Sequence, residues 1–359
     1  MTDNLLRLPA ERQFAAELEA LRAAERHPVP EGWKLSPRSV LTYIVGGRAG
    51  DTEITPKYIG NKRPVEIAVA TLLTDRGLLF MGEPGTAKSW LSEHLAAAVA
   101  GDSTKVVQGT MGTSEEQIKY GWNYALLISN GPSLQALVKT PVYRAMEEGS
   151  VARVEEISRC MPEVQDALIG ILSEKCIAIP ELSAEVRAAR GFSLIATANT
   201  RDRGVNDMSA ALKRRFNIVV LPAPATAEAE RAIVNTRVAQ LSRHLHLHST
   251  LPQEDAVAKI VTVFRELRAG QTEDGKEKLK SPSGVLSVAE AISTLVGSMA
   301  LAASFGTGEV TDDCLASGLL GAVVRDEEKD AAVFQEYLDS VAKTREGWHG
   351  LYSACKSLL

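Results

Sequence analysis

Gly82-Glu83-Pro84-Gly85-Thr86-Ala87-Lys88-Ser89 decides how the rest of the chain is read. Upstream, Leu78-Leu79-Phe80-Met81 is a short apolar run of the kind that forms a buried strand. Downstream, Trp90 leads into a stretch with Leu91, Leu95, Ala98 and Val99 at helical spacing. Strand, tight glycine turn and helix together form the setting of a phosphate-binding loop. Gly82 and Gly85 let the backbone curl so that successive N–H groups point inward, and the helix brings its positive dipole end to the same place. Lys88 is placed to reach the β- and γ-phosphates of a bound nucleotide, and Ser89 to put its hydroxyl on Mg2+. The motif calls for Gly before the Lys, where this chain has Ala87. Alanine is comfortable at negative φ, so the expectation at Ala87 is a helical conformation.

Ser150-Val151-Ala152-Arg153-Val154-Glu155-Glu156 is the second informative stretch, a β-rich run ending in two carboxylates. In a nucleotide hydrolase the first carboxylate holds Mg2+ and the second orients and deprotonates the attacking water. Glu155 is one methylene longer than the usual Asp, so the expected metal contact runs through water. Arg153 is out of place in a central strand, where both faces are usually buried. Phe192–Asn199 is a further buried strand. Its terminal amide can position the water beside the γ-phosphate, although a strand-end Asn is more often a turn former. Met208–Phe216 reads as a short helix ending in Lys213-Arg214-Arg215-Phe216, followed by a last strand, Ile218–Leu221. The clustered arginines are either a solvated face or, for Arg214 or Arg215, a finger projecting to a neighbour's γ-phosphate.

A chain of 359 residues has room for two domains and a sizeable core. Apolar content of 45% and charged content of 24% are those of a soluble globular protein, and the net charge of -5 argues against a constitutive nucleic-acid binder. Cys160, Cys176, Cys314 and Cys355 form no CxxC pair and read as free thiols in a reducing cytoplasm. The first residues lack the apolar core of a signal peptide. Ala291–Gly306, the most membrane-like run, is short and rich in small residues and reads as a buried helix with no membrane span.

Three regions follow. Residues 1–50 are an N-terminal helical extension, with Phe14, Leu18 and Leu21 as an apolar stripe from Glu11 to about Glu25. Residues 51–225 are the α/β nucleotide-binding domain. It includes a helix opened by Pro64, a strand over Thr104–Thr110, a helix over Ser133–Gly149 and a helix over Pro162–Glu174. Trp122–Asn130 and the segment flanked by Ile177–Ile179 and Arg190–Phe192 read as hairpins. Residues 226–359 read as all helix: one capped by Thr226, one over Gln253–Ala269, a polar linker, and one beginning at Ser281-Pro282.

The order of these parts resembles the AAA+ ATPases, and within them the MoxR-like group. The resemblance runs from about Tyr58 to Leu221 and on into the C-terminal region. It implies a parallel-sheet P-loop core with a C-terminal all-α lid. Gly82, Glu83, Pro84, Gly85, Thr86, Ala87, Lys88 and Ser89 stand as the Walker A loop, followed by Trp90. Glu155 and Glu156 stand as Walker B with its catalytic Glu, Asn199 as sensor 1, and Arg214 or Arg215 as the finger acting in trans. Ile59-Gly60 matches the segment that lies against adenine, and the two hairpins resemble the inserts of this clade. The resemblance further implies ATP-driven homo-oligomeric rings, commonly hexamers. It also implies a remodelled partner protein, with a von Willebrand factor A domain protein as the family's analogy. Sensor 2 departs from the pattern: Ser281-Pro282-Ser283 lacks the arginine, and Lys280 is a point charge that cannot clamp phosphate bidentately.

Two features stand apart. His244-Leu245-His246-Leu247-His248 alternates with period two, which on a strand gives either a solvated face or three imidazoles for a metal. Tyr120, Trp122 and Tyr124 are either hairpin core or a grip on substrate in a ring pore. Two rival functions keep the same fold: a nucleotide-gated scaffold with little hydrolysis, and an McrB-like nucleic-acid motor.

Overall fold

The computed structural model describes residues 5–199, 208–247, 250–284 and 286–359. Two compact units divide the chain, one running to Pro222 (without Pro84–Thr86) and one from Ala223 to Leu359.

The first unit is built on a five-stranded sheet. Its strands are β1 (Gly77–Gly82), β2 (Val106–Gln108), β3 (Val151–Glu155), β4 (Ser193–Asn199) and β5 (Phe216–Val220). They lie in the order β5-β1-β4-β3-β2, with every pairing parallel. Strand periodicity sorts the side chains between two cores. Leu78, Phe80, Val151, Ile195 and Val219 pack on the face that carries helix α1 (Lys88–Ala100). Leu79, Ala152, Val154, Leu194, Ala196 and Ala198 pack on the face that carries helix α2 (Pro162–Glu174). Arg153 and Glu155 share the alternation of Val151 and so face α1. Helix α1 is buried almost all round, because the N-terminal residues cover its other side: Leu18, Leu21, Trp33, Leu35, Val40, Tyr43 and Ile44 belong to the same core as Leu91 and Leu95.

Several local expectations change. The N-terminal helix is two pieces, Ala10–Gln13 and Ala15–Ala23, separated at Phe14, whose φ of -113° and ψ of 30° break the helical run. Trp122–Asn130 is not the hairpin itself. Tyr120–Trp122 pairs with Leu137–Lys139, and a short helix, Tyr124–Asn130, lies between them because Asn123 caps it through the Leu126 N–H. The following helix is correspondingly shorter, Pro141–Glu148, opened by Thr140. The second hairpin pairs Cys176–Ile179 with Ala184–Arg187, upstream of Arg190–Phe192. The helix expected to reach Phe216 covers only Ala210–Lys213, and Phe216 already begins β5.

The second unit is helical: α3 (Ala227–His244), α4 (Glu254–Ala269), α5 (Val288–Phe305), α6 (Asp312–Val323), α7 (Lys329–Tyr337) and α8 (His349–Leu358). Val257, Ile260, Val261, Phe264 and Leu267 of α4 meet Leu295 and Met299 of α5 and Phe334 and Tyr337 of α7 in one core. Among the described residues α5 alone is long and apolar enough to cross a membrane; its Ala291, Leu295, Met299 and Ala302 are buried inside the unit.

Two further expectations fail here. Ser281-Pro282 does not open a helix. Helix α5 starts at Val288, because Ser287 and Glu290 form a reciprocal capping box, and Ser283 is instead held by Asp330. The His244–Leu247 stretch is not a strand. Helix α3 runs through His244 and ends in a turn, with His246 left-handed at φ 58°. His248 lies outside the described residues.

Candidate active site

The site is assembled at the carboxyl ends of β1, β3 and β4, the three middle strands of the sheet apart from their edges. Gly82 closes β1 and lies opposite Asn199, the last residue of β4, in the parallel register. The phosphate loop therefore begins beside the strand-end amide expected to hold the water. The loop then turns at Gly85 (φ 79°) and at Ala87.

Ala87 corrects the expectation of a helical conformation. It is left-handed, with φ 63° and ψ 22°, and serves as N-cap of α1. The chain must change direction between the loop and the helix axis within one residue, and the left-handed region supplies that change. For alanine this costs about 1–2 kcal/mol relative to the right-handed region. Lys88 follows, buried, and its Nζ donates to the carbonyl oxygens of Gly82 (3.0 Å) and Glu83 (2.7 Å). The ammonium is thus folded back into the loop it would serve. Ser89 is exposed at the first turn of α1. Trp90 donates from Nε1 to the Lys57 carbonyl (3.0 Å) and lies 4.1 Å from the His94 ring. That bond braces α1 against the segment carrying half-buried Ile59 and exposed Gly60.

Glu155 is the most constrained group of the site, and it is buried. Its Oε1 accepts from Arg153 Nη2 (2.7 Å) and from the Ser92 hydroxyl, and its Oε2 accepts from Thr197 Oγ1 (2.7 Å). Burial pushes this carboxyl's pKa up, but the Arg153 guanidinium and the Ser92, Thr197 and Ser89 hydroxyls outweigh burial and hold it below the ordinary carboxylate value. Arg153 is thereby explained. It is buried, and besides Glu155 it donates to Ser92 Oγ (3.0 Å), the Ser103 carbonyl (2.9 Å) and the Ser89 carbonyl (3.2 Å).

Glu156 sits one residue past the strand in a left-handed conformation, φ 53° and ψ 44°. Its N–H donates to Thr197 Oγ1 at 2.9 Å, and its half-exposed carboxylate pairs with Arg159. Gly109, just past β2, donates its N–H to the Glu155 carbonyl at 2.7 Å. A Cβ there would lie 2.5 Å from the Glu156 carbonyl oxygen, so only glycine lets the chain pass so close. The two arginines differ. Arg215 is tied down, donating to Ser173 Oγ and, at 2.7 Å, to the Ala211 carbonyl. Arg214 is exposed; its backbone carbonyl accepts from Arg76 and its N–H donates to the Ala210 carbonyl at 3.1 Å.

Sequence reasoning passed over Thr197, Ser92 and Gly109. The signal for Thr197 was present: it is the one hydroxyl inside the apolar run Leu194–Ala198. In the second unit Lys280 is paired with Glu336 at 2.6 Å. Among the described residues no group of three or more His, Cys, Asp or Glu side chains could hold a metal on its own. The donors at the loop are hydroxyl and carboxylate oxygens, the set that suits Mg2+ arriving with phosphate rather than a dedicated metal cage.

Strand order, phosphate loop and paired carboxylates define a P-loop α/β protein with AAA+ architecture. Residues 77–216 match the AAA domain of the dynein-related subfamily, and residues 212–356 match the C-terminal domain of YehL-like AAA+ ATPases. The chain is 42% identical over 363 residues to the uncharacterized protein YehL of Escherichia coli K12, covering 98% of this chain and 97% of that one. It is 28% identical over 156 residues to the uncharacterized protein YojN of Bacillus subtilis 168, covering 43% of this chain and 50% of that one. Among solved structures, NtrX from Brucella abortus in complex with ATP aligns at 16% identity and a TM-score of 0.49, over 85% of this chain and 69% of that one. RuvB from Thermotoga maritima aligns at 16% identity and a TM-score of 0.44, over 84% of this chain and 82% of that one. The chain belongs to the YehL-like family of AAA+ ATPases.

Proposed function

We propose that the protein hydrolyses ATP to ADP and phosphate in an oligomeric ring and uses the cycle to remodel a partner protein in the cytoplasm. The observation that carries this reading is the meeting of Lys88, Glu155, Glu156 and Asn199 at adjacent strand ends, around a loop with the phosphate-binding sequence. In this reading the loop N–H groups and Lys88 bind the phosphates, after Lys88 gives up the two loop carbonyls. Glu156 takes the proton of the attacking water, and Asn199 orients that water from the neighbouring strand. Arg214 supplies a guanidinium to the site of the next subunit. Ser89 and Glu155 would be the residues on the side of Mg2+, which would supply neutralisation of the phosphate charge. Ile59-Gly60 would lie against the base. A hexamer and a von Willebrand factor A domain partner are the forms the family resemblance favours.

A second reading is a nucleotide-gated scaffold that binds ATP and turns it over little. The placement of Ser281–Ser283 outside any helix favours it, since no arginine is presented from a helix start there. One experiment separates the two: ATP turnover by purified protein against protein concentration, for wild type and Glu156→Gln. The ring reading expects specific activity to rise with concentration and the variant to lose about 10²–10⁴-fold while still binding ATP. Negligible turnover at every concentration, with ATP still bound, would leave the scaffold.

A further inference from the structure

We propose that Arg153 is a positioning residue of the nucleotide site: a built-in counter-ion that cancels the charge of Glu155 beside the triphosphate. The inference rests on the ATP reading above and deepens it.

Four partners fix the guanidinium. Arg153 Nε reaches Ser92 Oγ at 3.0 Å, Nη1 the Ser103 carbonyl at 2.9 Å, and Nη2 both the Ser89 carbonyl at 3.2 Å and Glu155 Oε1 at 2.7 Å. Two of these partners, Ser89 and Ser92, belong to the first turns of α1. One cation therefore joins strand β3 to the helix that follows the phosphate loop. Arg153 and Glu155 are only 7% and 3% exposed, so neither charge is screened by water and each depends on the other.

Glu155 is held on both oxygens: Oε1 accepts from Arg153 and from the Ser92 hydroxyl, and Oε2 accepts from Thr197. The Arg153–Glu155 pair is neutral as a unit, so an incoming polyanion meets no net charge from it. Without Arg153 the same carboxylate would repel the phosphates.

The test is a double-mutant cycle read by binding of mant-ATP, in EDTA and in parallel with Mg2+, using Arg153→Gln, Glu155→Gln and the double variant. Two unit charges a few ångströms apart in a partly buried site alter binding by about tenfold or more. Arg153→Gln is accordingly expected to weaken mant-ATP in EDTA at least about tenfold, and the double variant, in which neither charge remains, to bind within about threefold of wild type. A double variant that binds as weakly as Arg153→Gln, or an Arg153→Gln that binds like wild type, overturns the proposal. If Arg153→Gln alone does not fold, stability gives the answer. A double variant that folds supports the charge pairing, and one that also fails makes Arg153 a brace of the fold and overturns it. Wild type that binds no mant-ATP under either condition removes the ATP reading and this one together, before any variant is compared.

Discussion

Thr197 donates its hydroxyl to Glu155 Oε2 at 2.7 Å and accepts the Glu156 N–H at 2.9 Å on the same oxygen. One side chain on β4 thus fixes both carboxylate residues at the end of β3, two positions before Asn199. Thr197→Val keeps the shape but removes both bonds, and it strands the Glu156 N–H at a left-handed residue. The expected cost is about 1–3 kcal/mol of stability, from the unsatisfied donor and the lost carboxylate bond. ATP turnover is expected to fall by about tenfold, as Glu156 loses its backbone anchor, with ATP affinity nearly unchanged. Chemical denaturation and steady-state turnover measure the two effects. Unaltered stability and turnover would show that the Thr197 bonds do not hold the pair.

Ala87 carries strain that glycine would not. At φ 63° an L side chain is disfavoured by about 1–2 kcal/mol, while glycine in the unfolded chain costs about 0.5–1 kcal/mol of extra entropy. Ala87→Gly is therefore expected to stabilise the protein slightly, by about 0.5–1 kcal/mol, and to leave ATP binding intact. A melting temperature that falls in the variant would mean that Ala87 packs more usefully than its backbone is strained.

Much of the architecture was legible because its signals are local. The buried strands ending in Gly82, Glu155 and Asn199 are mostly apolar runs closed by a glycine or a polar residue. Pro162 marks the start of the helix Pro162–Glu174, and Thr226 caps its helix as its type suggests. What failed was decided at a distance. Ser281-Pro282 has the look of a helix start, yet Ser283 is claimed by Asp330, 47 residues later in the chain. The Ser287–Glu290 capping box then sets the start of the helix. Ala87 obeys the loop's need for a sharp turn over alanine's own preference. Arg153 stood out in the sequence as misplaced, but its meaning required Ser89, Ser92 and Ser103 to be brought around it. The alternation His244–His248 carried no weight against a helix already running through His244.

Arg214 and Arg215 are adjacent in sequence and separate in role. Arg215 is engaged inside its own subunit through Ser173 and Ala211, whereas the Arg214 side chain is exposed. Arg214→Ala is expected to lower ATP turnover by about a hundredfold or more at protein concentrations that favour assembly, without changing the melting temperature. Arg215→Ala is expected to cost about 1 kcal/mol of stability, with a smaller effect on turnover. Turnover and thermal melts of the two variants, run side by side, test the assignment. The reverse pattern would make Arg215 the residue that acts on a neighbour.

Asp330 is the acid-sensitive point of the second unit. Its carboxylate accepts the N–H groups of Ser283 (2.7 Å), Asp326 (2.9 Å) and Arg325 (3.1 Å) and the Ser283 hydroxyl (2.7 Å). Burial raises its pKa, but these donors win and bring it down from 3.8 to about 2. A carboxyl with a lower pKa in the folded than in the unfolded state stabilises the fold above the unfolded value, and that contribution fades as pH falls through the folded one. The contribution of Asp330 is therefore complete above about pH 4 and lost towards pH 2. Asp330→Asn is expected to cost about 1.5–3 kcal/mol at neutral pH, the range for hydrogen bonds to a charged group, and to flatten the stability profile between those limits. Denaturation at a series of pH values, for wild type and variant, measures both effects. Parallel curves with a constant offset would mean that the Asp330 charge does not set the acid sensitivity of the segment at Ser283.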